Sequence, residues 1–475
     1  MKHFHYKSLD QLQQDADRLT EFVRFESDTE KIKQLLGRKV PIGNFVTLGN
    51  SMAVHPMEGC DADLDGNPDE LTIRRYHRFA AGGSKLIWFE ATAVRKDGRA
   101  NSRQLWIHNG NVAAYDKLRE EIEQIHRDRF GTIDDLLIPV QLTHSGRYSY
   151  PERIIAYHNP LIDAKTATRA DQPVIGDDEL ERLEDQFVDA AKLVWQAGFR
   201  AIDLKVTHGY LLAELMGAKL REGRYGGSLE NRTRLIRNVI GKIKNEFGSK
   251  MLIAMRLGCF DSVPYKKSDT SSNGEPLPYT TPYPHGWGVD PNDPLREELS
   301  EVKQAIGWFK DWGVQLLNVS IGCPYYNPHI GRPFEKPDEG NYEMPEHPLT
   351  GVDRHFRISG ELQQAFPDLP MVGTGYSWLQ IYALNAAARN IETGRIRIFG
   401  LGRGTLSYPD FAVDALEKGS LDEIRVCKTL TYCTFLMRQK NHPLGQFPAG
   451  CPPFDKLVYG PIMKQAREAF RSQQK

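Results

Sequence analysis

Residues 180–210 read LERLEDQFVDAAKLVWQAGFRAIDLKVTHGY, and this stretch decides the fold. Its first part carries apolar residues at three- and four-residue spacing from Leu180 to Ala197, which predicts an amphipathic helix that Gly198 ends. Its second part, Ala201–Val206, is a short apolar run that predicts a buried strand. A helix followed directly by a strand is the repeating unit of parallel α/β folds.

The same alternation of helix and strand extends from about residue 50 to residue 420. Eight short apolar or β-branched runs are strand candidates, and amphipathic stretches separate them. The candidates are Met52–Met57, Leu86–Ala91, Leu136–Leu142, Ala201–Val206, Leu252–Leu257, Gln315–Ser320, Pro370–Thr374 and Ile396–Leu401. Eight strands that alternate with helices predict a parallel sheet, either open and doubly wound or closed as a barrel.

The composition is that of an ordinary globular protein, with 475 residues of which 40% are hydrophobic and 26% charged. The formal net charge is −1 and the basic residues are scattered, so neither nucleic acid nor an anionic membrane is an expected partner. No run approaches the roughly 18 apolar residues of a membrane helix, and the first residues lack the apolar core of a signal peptide. We therefore predict a cytoplasmic protein, and we leave a homo-oligomer open.

The six cysteines are spread over a long chain without a secretion signal, which favours free thiols over disulfides. Cys427, Cys433 and Cys451 lie close enough in sequence to raise the question of a metal or an iron–sulfur cluster. Such sites usually take four ligands, whereas this region offers three thiols without a C-x₂-C pair. We predict structural thiols and no metal.

Two long stretches rich in Pro and Gly interrupt the alternation, at Ser262–Pro294 and Cys323–Pro348. Each follows a predicted strand and precedes a predicted helix, which places both on the face where a parallel barrel carries its active site. Loops of this length are usually functional or disordered. We expect these two to cover a site.

Polar side chains stand where the predicted strands end. They are Glu58 after the first strand, Gln141 on the third, Lys205, His208 and Tyr210 at the fourth, and Arg256 on the fifth. A packed barrel interior is apolar, so a polar group at strand after strand indicates a small-molecule site there. Taken singly, each of these residues is more often a satisfied core residue than a ligand.

The seventh and eighth strands end in Gly373-Thr374-Gly375 and Gly400-Leu401-Gly402-Arg403. Glycines let backbone N–H groups approach a phosphate, an arginine adds a bidentate charge, and barrels often bind phosphate at these two loops. The alternative is a pair of glycine-rich turns that only close the barrel. Together the two motifs favour a phosphate site.

Seven motifs stand out over about residues 40–420: His55-Pro56-Met57, Ala80–Gly83, Phe89–Val94, Gln141–Arg147, His208–Tyr210, Tyr225–Arg232 and Gly400–Arg403. Taken together, they resemble the old yellow enzyme family of FMN-dependent oxidoreductases, in the larger branch that includes dienoyl-CoA reductases. The resemblance implies a (β/α)₈ TIM barrel that binds FMN over residues 41–420. A helical N-terminal extension would cover residues 1–40, and a helical C-terminal extension residues 421–475.

The resemblance also implies roles for individual residues. The flavin ring would lie on Pro56, Met57 and Ala91, its pyrimidine edge would bond Gln141, and Arg256 would face the negative charge that gathers there on reduction. Gly375, Gly402 and Arg403 would hold the phosphate. Glu58 and Tyr376 complete the predicted cofactor-binding residues.

The chain departs from the family pattern at two positions. Lys205-x-x-His208 stands where the family usually has His-x-x-His or His-x-x-Asn, and Glu58 stands where many members carry a small residue. Lys205 could stabilise a substrate enolate or hold a carboxylate. Alternatively, it pairs with Glu58 and never meets the substrate. Both departures affect the choice of substrate rather than the flavin site.

The resemblance favours an ene-reductase that takes electrons from NADH or NADPH and reduces the C=C bond of a carbonyl- or carboxyl-conjugated alkene. Lys205 and His208 would polarise the carbonyl, and Tyr210 would donate the proton. No G-x-G-x-x-G motif follows a strand, so we expect the nicotinamide to visit the flavin from outside. The alternatives are an amine or other dehydrogenase that runs oxidatively, a flavin-free lyase with a Schiff base on Lys205, and a non-catalytic flavin carrier.

Overall fold

A closed barrel of eight parallel strands forms the centre of the computed structural model, which describes residues 3–473. The strands, numbered β1 to β8 in chain order, are Met52–Val54, Leu86–Ile87 with Phe89–Ala93, Pro139–Thr143, Ala201–Val206, Leu252–Gly258, Leu316–Ser320, Met371–Gly373 and Ile398–Leu401. Neighbours in sequence pair in parallel, and β8 returns to β1 through Phe399 and Met52. The predicted TIM barrel is confirmed, and all eight predicted strands are present, Ala201–Val206 with its predicted ends and the other seven with shifted ends.

Strand β2 is broken at Trp88, and the break lets the ring close. Its first piece pairs with β1 through Leu86 and Ala53, whereas its second piece pairs with β3 through Phe89 and Val140. Closing a barrel requires strands to tilt and shift their register, and an irregular residue is a common way to absorb that shift.

Each strand is followed by a helix that packs on the outside of the barrel. The principal helices are Glu70–Ala80, Val112–Phe130, Asp177–Gln196, Arg234–Phe247, Ser300–Trp312, Pro348–Ala365, Ala383–Glu392 and Phe411–Glu417. Shorter helices precede some of them, at Pro160–Thr166, Leu211–Met216, Leu229–Arg232, Pro328–Gly331 and Gly404–Ser407, with a 3₁₀ segment at Tyr376–Tyr382. The predicted helix over 180–197 is confirmed as Asp177–Gln196, which buries Leu180, Leu183 and Phe187 as its periodicity requires.

An antiparallel hairpin, Val40–Ile42 with Val46–Leu48, closes the end of the barrel at which the strands begin. Its apolar side chains share one buried cluster with Ala201, Leu252 and Leu316, the first residues of β4, β5 and β6. Burying a large apolar side chain stabilises a fold by about 1.5–3 kcal/mol. This end is therefore sealed by the hairpin, and the carboxyl ends of the strands lie on the opposite side of the barrel.

The two long loops after β5 and β6 contact each other at that open end. The loop after β5 contains an antiparallel pair, Tyr265–Lys267 with Gly274–Pro276, which its sequence did not indicate. Gly274 N donates to Glu343 O of the loop after β6 at 2.9 Å. Backbone hydrogen bonds thus join the two predicted covers to each other.

Helices also occur on both sides of the barrel in sequence. Leu9–Leu19 and Thr29–Leu36 precede it, and Tyr432–Arg438 and Lys456–Gln473 follow it. The described residues between the last two helices are mostly irregular. Across residues 3–473, no helix combines the length and apolar character needed to cross a membrane.

Candidate active site

A cavity of about 420 Å³ opens at the carboxyl ends of the barrel strands. All the predicted site residues line it except Ala91 and Tyr210. Those on its wall are Pro56, Met57, Glu58, Gln141, Lys205, His208, Arg256, Gly375, Tyr376, Gly402 and Arg403. The fold therefore brings residues from six of the eight strand ends to one place, as expected for a barrel site.

Two arginines face each other at one end of the cavity. Arg403 Nη1 donates to Thr434 Oγ1, and Arg332 Nη2 donates to Cys427 Sγ at 3.1 Å. The buried Nε and Nη1 atoms of Arg332 have no partner, and within residues 3–473 neither guanidinium contacts a carboxylate. Burial and the adjacent charge of Arg332 lower the pKa of Arg403 to about 10. Two cations without a counter-ion are the arrangement that an anion completes.

Glycines at the ends of β7 and β8 shape the same end of the cavity. Gly375 has φ +93°, and a Cβ there would lie 2.7 Å from His355 Cβ. A Cβ on Gly400 would lie 2.3 Å from the His55 ring, whereas one on Gly402 would meet nothing closer than 3.7 Å. The backbone at Gly402 is therefore open to the cavity, in the manner of a phosphate loop.

The side of the cavity beneath β3 to β5 is polar and buried. Gln141 Nε2 donates to Asp203 Oδ2 at 2.5 Å, and no group within residues 3–473 donates to the amide oxygen of Gln141. Arg256 Nη1 donates to Pro56 O at 3.0 Å, and its buried Nε has no partner in the described part of the chain. Burial raises the pKa of Asp203 to about 6 and lowers that of Arg256 to about 10, because each charge is removed from water.

A chain of four hydrogen-bonded groups continues from the end of β4, and three of them line the cavity. Lys205 Nζ donates to Glu58 Oε1 at 2.6 Å, and Tyr210 OH donates to the same oxygen at 2.8 Å. Tyr210 OH also lies 3.0 Å from Tyr325 OH. Lys205 thus pairs with Glu58, as one of the alternatives anticipated, yet both side chains still line the cavity.

His208 lies next to this chain, at the end of β4, with φ +63°. Its ring makes no protein hydrogen bond within the described residues, and it faces the cavity. Burial and the charges of Arg256 and Lys205 lower its pKa well below the usual range. His208 is therefore neutral near pH 7 and can donate one hydrogen bond to a ligand.

Tyr210 and Ala91 lie behind the cavity wall. Tyr210 is fully buried, and Ala91 is 1% exposed with its carbonyl accepting from Gln104 Nε2 at 3.3 Å. The structure therefore places Tyr325, rather than Tyr210, where a ligand can touch a phenol.

Several wall residues were missed by sequence reasoning. Tyr325 and Arg332 lie in the loop after β6, which was expected to cover a site but none of whose residues was assigned to it. Thr434, Arg438 and Lys440 come from the C-terminal extension, where no strand end marked them. For Tyr325 and Arg332, the only indication in the sequence was that the loop after β6 follows a barrel strand.

Cys427, Cys433 and Cys451 gather behind the two arginines, and all six cysteines are free thiols. Within residues 3–473, no group of three or more Cys, His, Asp or Glu side chains is arranged to hold a metal ion. Burial raises the pKa of Cys451 and keeps this thiol protonated.

Comparison with known proteins agrees with this geometry. Residues 39–274 match the NADH:flavin oxidoreductase / NADH oxidase family. An NADPH dehydrogenase from Bacillus pumilus (strain SAFR-032) is 28% identical over 283 residues, which cover 58% of this chain and 71% of that protein. A complex of 2-naphthoyl-CoA reductase with 2-naphthoyl-CoA matches with TM-score 0.62 and 17% identity, over 84% of this chain and 54% of that one. An old yellow enzyme homologue from Zymomonas mobilis matches with TM-score 0.58 and 20% identity, over 83% of this chain and 96% of that one.

The fold and these matches define a class, the flavin-dependent oxidoreductases built on a (β/α)₈ barrel. The chain belongs to the old yellow enzyme family of NADH:flavin oxidoreductases. As predicted, this family uses FMN and takes electrons from NADH or NADPH. The chain spans about half the length of the 2-naphthoyl-CoA reductase chain. Its place in the larger branch of the family stays a prediction.

Proposed function

We propose that the protein is an ene-reductase that uses FMN and NADH or NADPH to reduce the C=C bond of an activated alkene. The observation that carries this proposal is the composition of one cavity. It combines a wall suited to a flavin with a second wall of hydrogen-bond donors, Lys205, His208 and Tyr325. A carbonyl oxygen that gains charge during reduction requires such donors close to the reacting carbon.

The residues present fit FMN at both of its ends. Arg332 and Arg403, with Gly375 and the open backbone at Gly402, would hold the phosphate, since the unpartnered N–H groups of Arg332 need an anion. At the other end, the free amide oxygen of Gln141 would accept from the pyrimidine edge. Arg256 would meet the negative charge there.

The remaining predicted cofactor residues would form the bed and rim of the ring site. Pro56, Met57 and Tyr376 line the wall beside it. Ala91 would support that bed from behind, and Glu58 would approach the ring from the Lys205 side. These roles stay proposals that follow from position.

When bound, FMN supplies the transfer of hydride between the nicotinamide and the β-carbon of the alkene. The protein orients that alkene. His208 would donate to the carbonyl oxygen as a neutral imidazole, and Lys205 has two further N–H donors after its bond to Glu58. Both donors would stabilise the charge that develops on that oxygen.

The experiment that tests the proposal is a pair of anaerobic half-reactions. NADPH and NADH should each be added to the yellow protein, and the bleached protein should then be mixed with enones, enals and unsaturated acids. We expect bleaching by at least one nicotinamide and return of the yellow colour with at least one alkene. A colourless purified protein would contradict the flavin site, and bleached protein that no alkene reoxidises faster than buffer would contradict the reaction.

We also propose how the chain is divided into domains and where the protein acts. We propose that residues 41–420 form the catalytic barrel and that residues 1–40 and 421–475 are extensions of it. The balanced charge supports a cytoplasmic enzyme that binds small molecules and no nucleic acid. A homo-oligomer stays a prediction, which sedimentation would test.

A further inference from the structure

We propose that Arg153, Lys440 and the hydroxyl group of Ser149 form an anion-binding subsite at the mouth of the cavity, and that the alkene substrate carries a carboxylate that binds there. This carboxylate would be separate from the carbonyl group that activates the C=C bond. The inference rests on the proposed ene-reductase function and deepens it, because it names a class of substrate. We call these three residues the mouth subsite.

The charge of the cavity wall is the first argument. Nine arginine and lysine side chains line the cavity, whereas Glu58 is the only aspartate or glutamate among residues 3–473 that does so. Carboxylates pair with four of the nine cations, namely Arg75, Arg147, Lys205 and Arg438. The other five form no ion pair with any described residue, and they are Arg153, Arg256, Arg332, Arg403 and Lys440.

The flavin would account for three of these five cations. Arg332 and Arg403 would hold its phosphate, and Arg256 would face its pyrimidine edge. Arg153 and Lys440 would still lack an anion. Both are exposed to solvent and also line the cavity, so they lie at its mouth. Two cations without a counter-ion at one end of a binding cavity favour a ligand with a negative group at that end.

Hydrogen bonds connect the parts of the chain that carry the mouth subsite. Tyr150 N, in the loop after β3, donates to Arg99 O at 2.8 Å. Ser102 Oγ donates to Leu444 O, in the C-terminal extension, at 2.5 Å. The segment after β2 therefore joins the loop after β3 to the C-terminal extension at one corner of the cavity.

Arg153 and Lys440 are close enough to interact electrostatically. Partial burial lowers the pKa of Lys440, and the charge of Arg153 lowers it further, while Cys60 opposes the shift. Within residues 3–473, the one hydrogen bond of the Arg153 side chain runs from Nη1 to Ala167 O at 3.5 Å, and Lys440 Nζ has none. An anion that accepts from both cations would relieve their repulsion.

The hydroxyl group of Ser149 independently indicates a ligand. Ser149 is 6% exposed and lines the cavity, and its Oγ has no hydrogen-bond partner in the described part of the chain. A buried hydroxyl group is normally hydrogen-bonded, because leaving it unpaired costs free energy. One oxygen of a carboxylate can accept from this hydroxyl group while the other faces the two cations.

The position of Ser149 assigns the anion to the alkene rather than to the nicotinamide coenzyme. Ser149 is buried in the same wall that carries Lys205 and His208, so its ligand enters the cavity together with the group that these two residues bind. Next to it, the Tyr150 ring is 43% exposed and lines the cavity. This ring offers an apolar surface to the carbon atoms between the alkene and its carboxylate.

The test compares para-carboxybenzylideneacetone with its methyl ester. Both compounds contain the same enone, and only the acid carries a charge at the far end of its ring. We expect the acid to reoxidise the reduced, FMN-loaded parent with a specificity constant about tenfold above that of the ester, the ratio that one charge-assisted hydrogen bond supplies. Equal specificity constants for acid and ester would overturn the proposal.

Arg153→Gln and Lys440→Gln test the two cations of the mouth subsite. We expect each variant to lower the preference for the acid over the ester about 5–10-fold, through a higher KM for the acid, because ground-state binding is lost. The control is Lys464→Gln, at an exposed lysine of the helix Lys456–Gln473 that lies outside the cavity. This variant should keep the preference of the parent. If both subsite variants keep it as well, the assignment is wrong.

Reduction of the flavin by NADPH and by NADH distinguishes two sources of the anion. NADPH carries one phosphate more than NADH, and a phosphate could also bind two cations. We expect the ratio of the reduction rates with NADPH and NADH to be the same in the parent and in Arg153→Gln. A loss confined to NADPH, with the preference for the acid intact, would assign the cations to the coenzyme and refute the proposal.

A binding measurement separates this proposal from the proposed function. The saturated ketone derived from the same acid cannot reoxidise the flavin, and its dissociation constant follows from the change in flavin absorption when it binds the oxidised holoenzyme. We expect the parent to bind this acid about tenfold more tightly than its methyl ester, and Arg153→Gln to lose most of that difference. Equal binding of acid and ester would contradict the mouth subsite even in a protein that reduces alkenes. Selective binding of the acid by a protein that no alkene reoxidises would support the subsite and contradict the proposed function.

Discussion

Arg332 is the residue whose importance only the structure reveals, because it lies in a loop far from any strand end. We expect Arg332→Met to weaken FMN binding by about 1.5–3 kcal/mol, the worth of a charge-assisted partner to a buried anion. The measurement is the dissociation constant of FMN, obtained from flavin fluorescence.

The matched control is Arg389→Met. Arg389 is a partly exposed arginine that pairs with Glu392 on the same helix, so its loss should leave FMN binding unchanged. Equal affinity in Arg332→Met and the parent would place the phosphate elsewhere.

Asp203 makes stability depend on pH in a direction opposite to that of most carboxylates. Burial raises its pKa from 3.8 to about 6, so the folded protein favours the neutral acid. The stability that this proton supplies is present below 3.8 and is lost as pH rises through about 6. We expect the parent to lose up to about 3 kcal/mol relative to Asp203→Asn over this window.

Urea unfolding of both proteins at a series of pH values measures this difference. Asp311→Asn, at an exposed helical aspartate, serves as the control and should follow the parent at every pH. Parallel curves for the parent and Asp203→Asn would contradict the raised pKa.

The turn after β7 is the element in which a single methyl group should matter most. Gly375 combines φ +93° with a Cβ position 2.7 Å from His355, so Gly375→Ala adds both backbone strain and a clash. We expect it to cost about 2–4 kcal/mol in unfolding free energy, because the two penalties add. It should also weaken FMN binding.

Gly394→Ala separates the two contributions. Gly394 has φ +69°, but a Cβ there would meet nothing within 4 Å. This variant should cost only about 1 kcal/mol, from backbone strain alone. If thermal or urea unfolding shows equal losses for the two variants, the contact with His355 contributes nothing.

Most helices and strands could be predicted from the sequence because the spacing of apolar residues shows which face of an element is buried. The helix Asp177–Gln196 and the strand Ala201–Val206 follow from spacing alone. The pair Tyr265–Lys267 with Gly274–Pro276 did not, since its residues are mostly polar and its pairing depends on a turn. The break in β2 at Trp88 also could not be predicted from the local sequence, because it depends on the geometry that closes the whole barrel.

The site was predictable where it coincides with strand ends. Gln141, Lys205 and Arg256 lie at such ends, and all three line the cavity. Tyr210 was expected on the wall, but the chain turns it inward onto Glu58 and brings Tyr325 forward instead. Which of the two tyrosines lines the cavity depends on how the loop after β6 folds over β4. These segments are distant in sequence, so no local sequence pattern predicts the result.

At the scale of the whole molecule, cofactor binding and folding stability should be linked. A ligand that binds only the folded state stabilises it by about 2.7 kcal/mol when its free concentration is 100 times its dissociation constant. We expect the melting temperature of the apoprotein to rise steadily with added FMN. Riboflavin, which lacks the phosphate, should raise it much less if Arg332 and Arg403 hold that group.

Differential scanning fluorimetry with both compounds measures this difference, and the Arg403→Ala variant supplies the control. In that variant the advantage of FMN over riboflavin should shrink. Equal stabilisation of the parent by FMN and riboflavin would show that the arginine pair holds no phosphate.

Thr434, Arg438 and Lys440 complete the cavity wall from beyond the last barrel strand. A ribosome makes these residues after all eight strands have emerged, so the barrel can close around its apolar interior while its pocket still lacks one side. During synthesis the nascent chain would therefore contain a folded barrel whose cavity lacks the wall residues of the C-terminal extension. We therefore expect the flavin to bind fully only after this last part of the chain has been made.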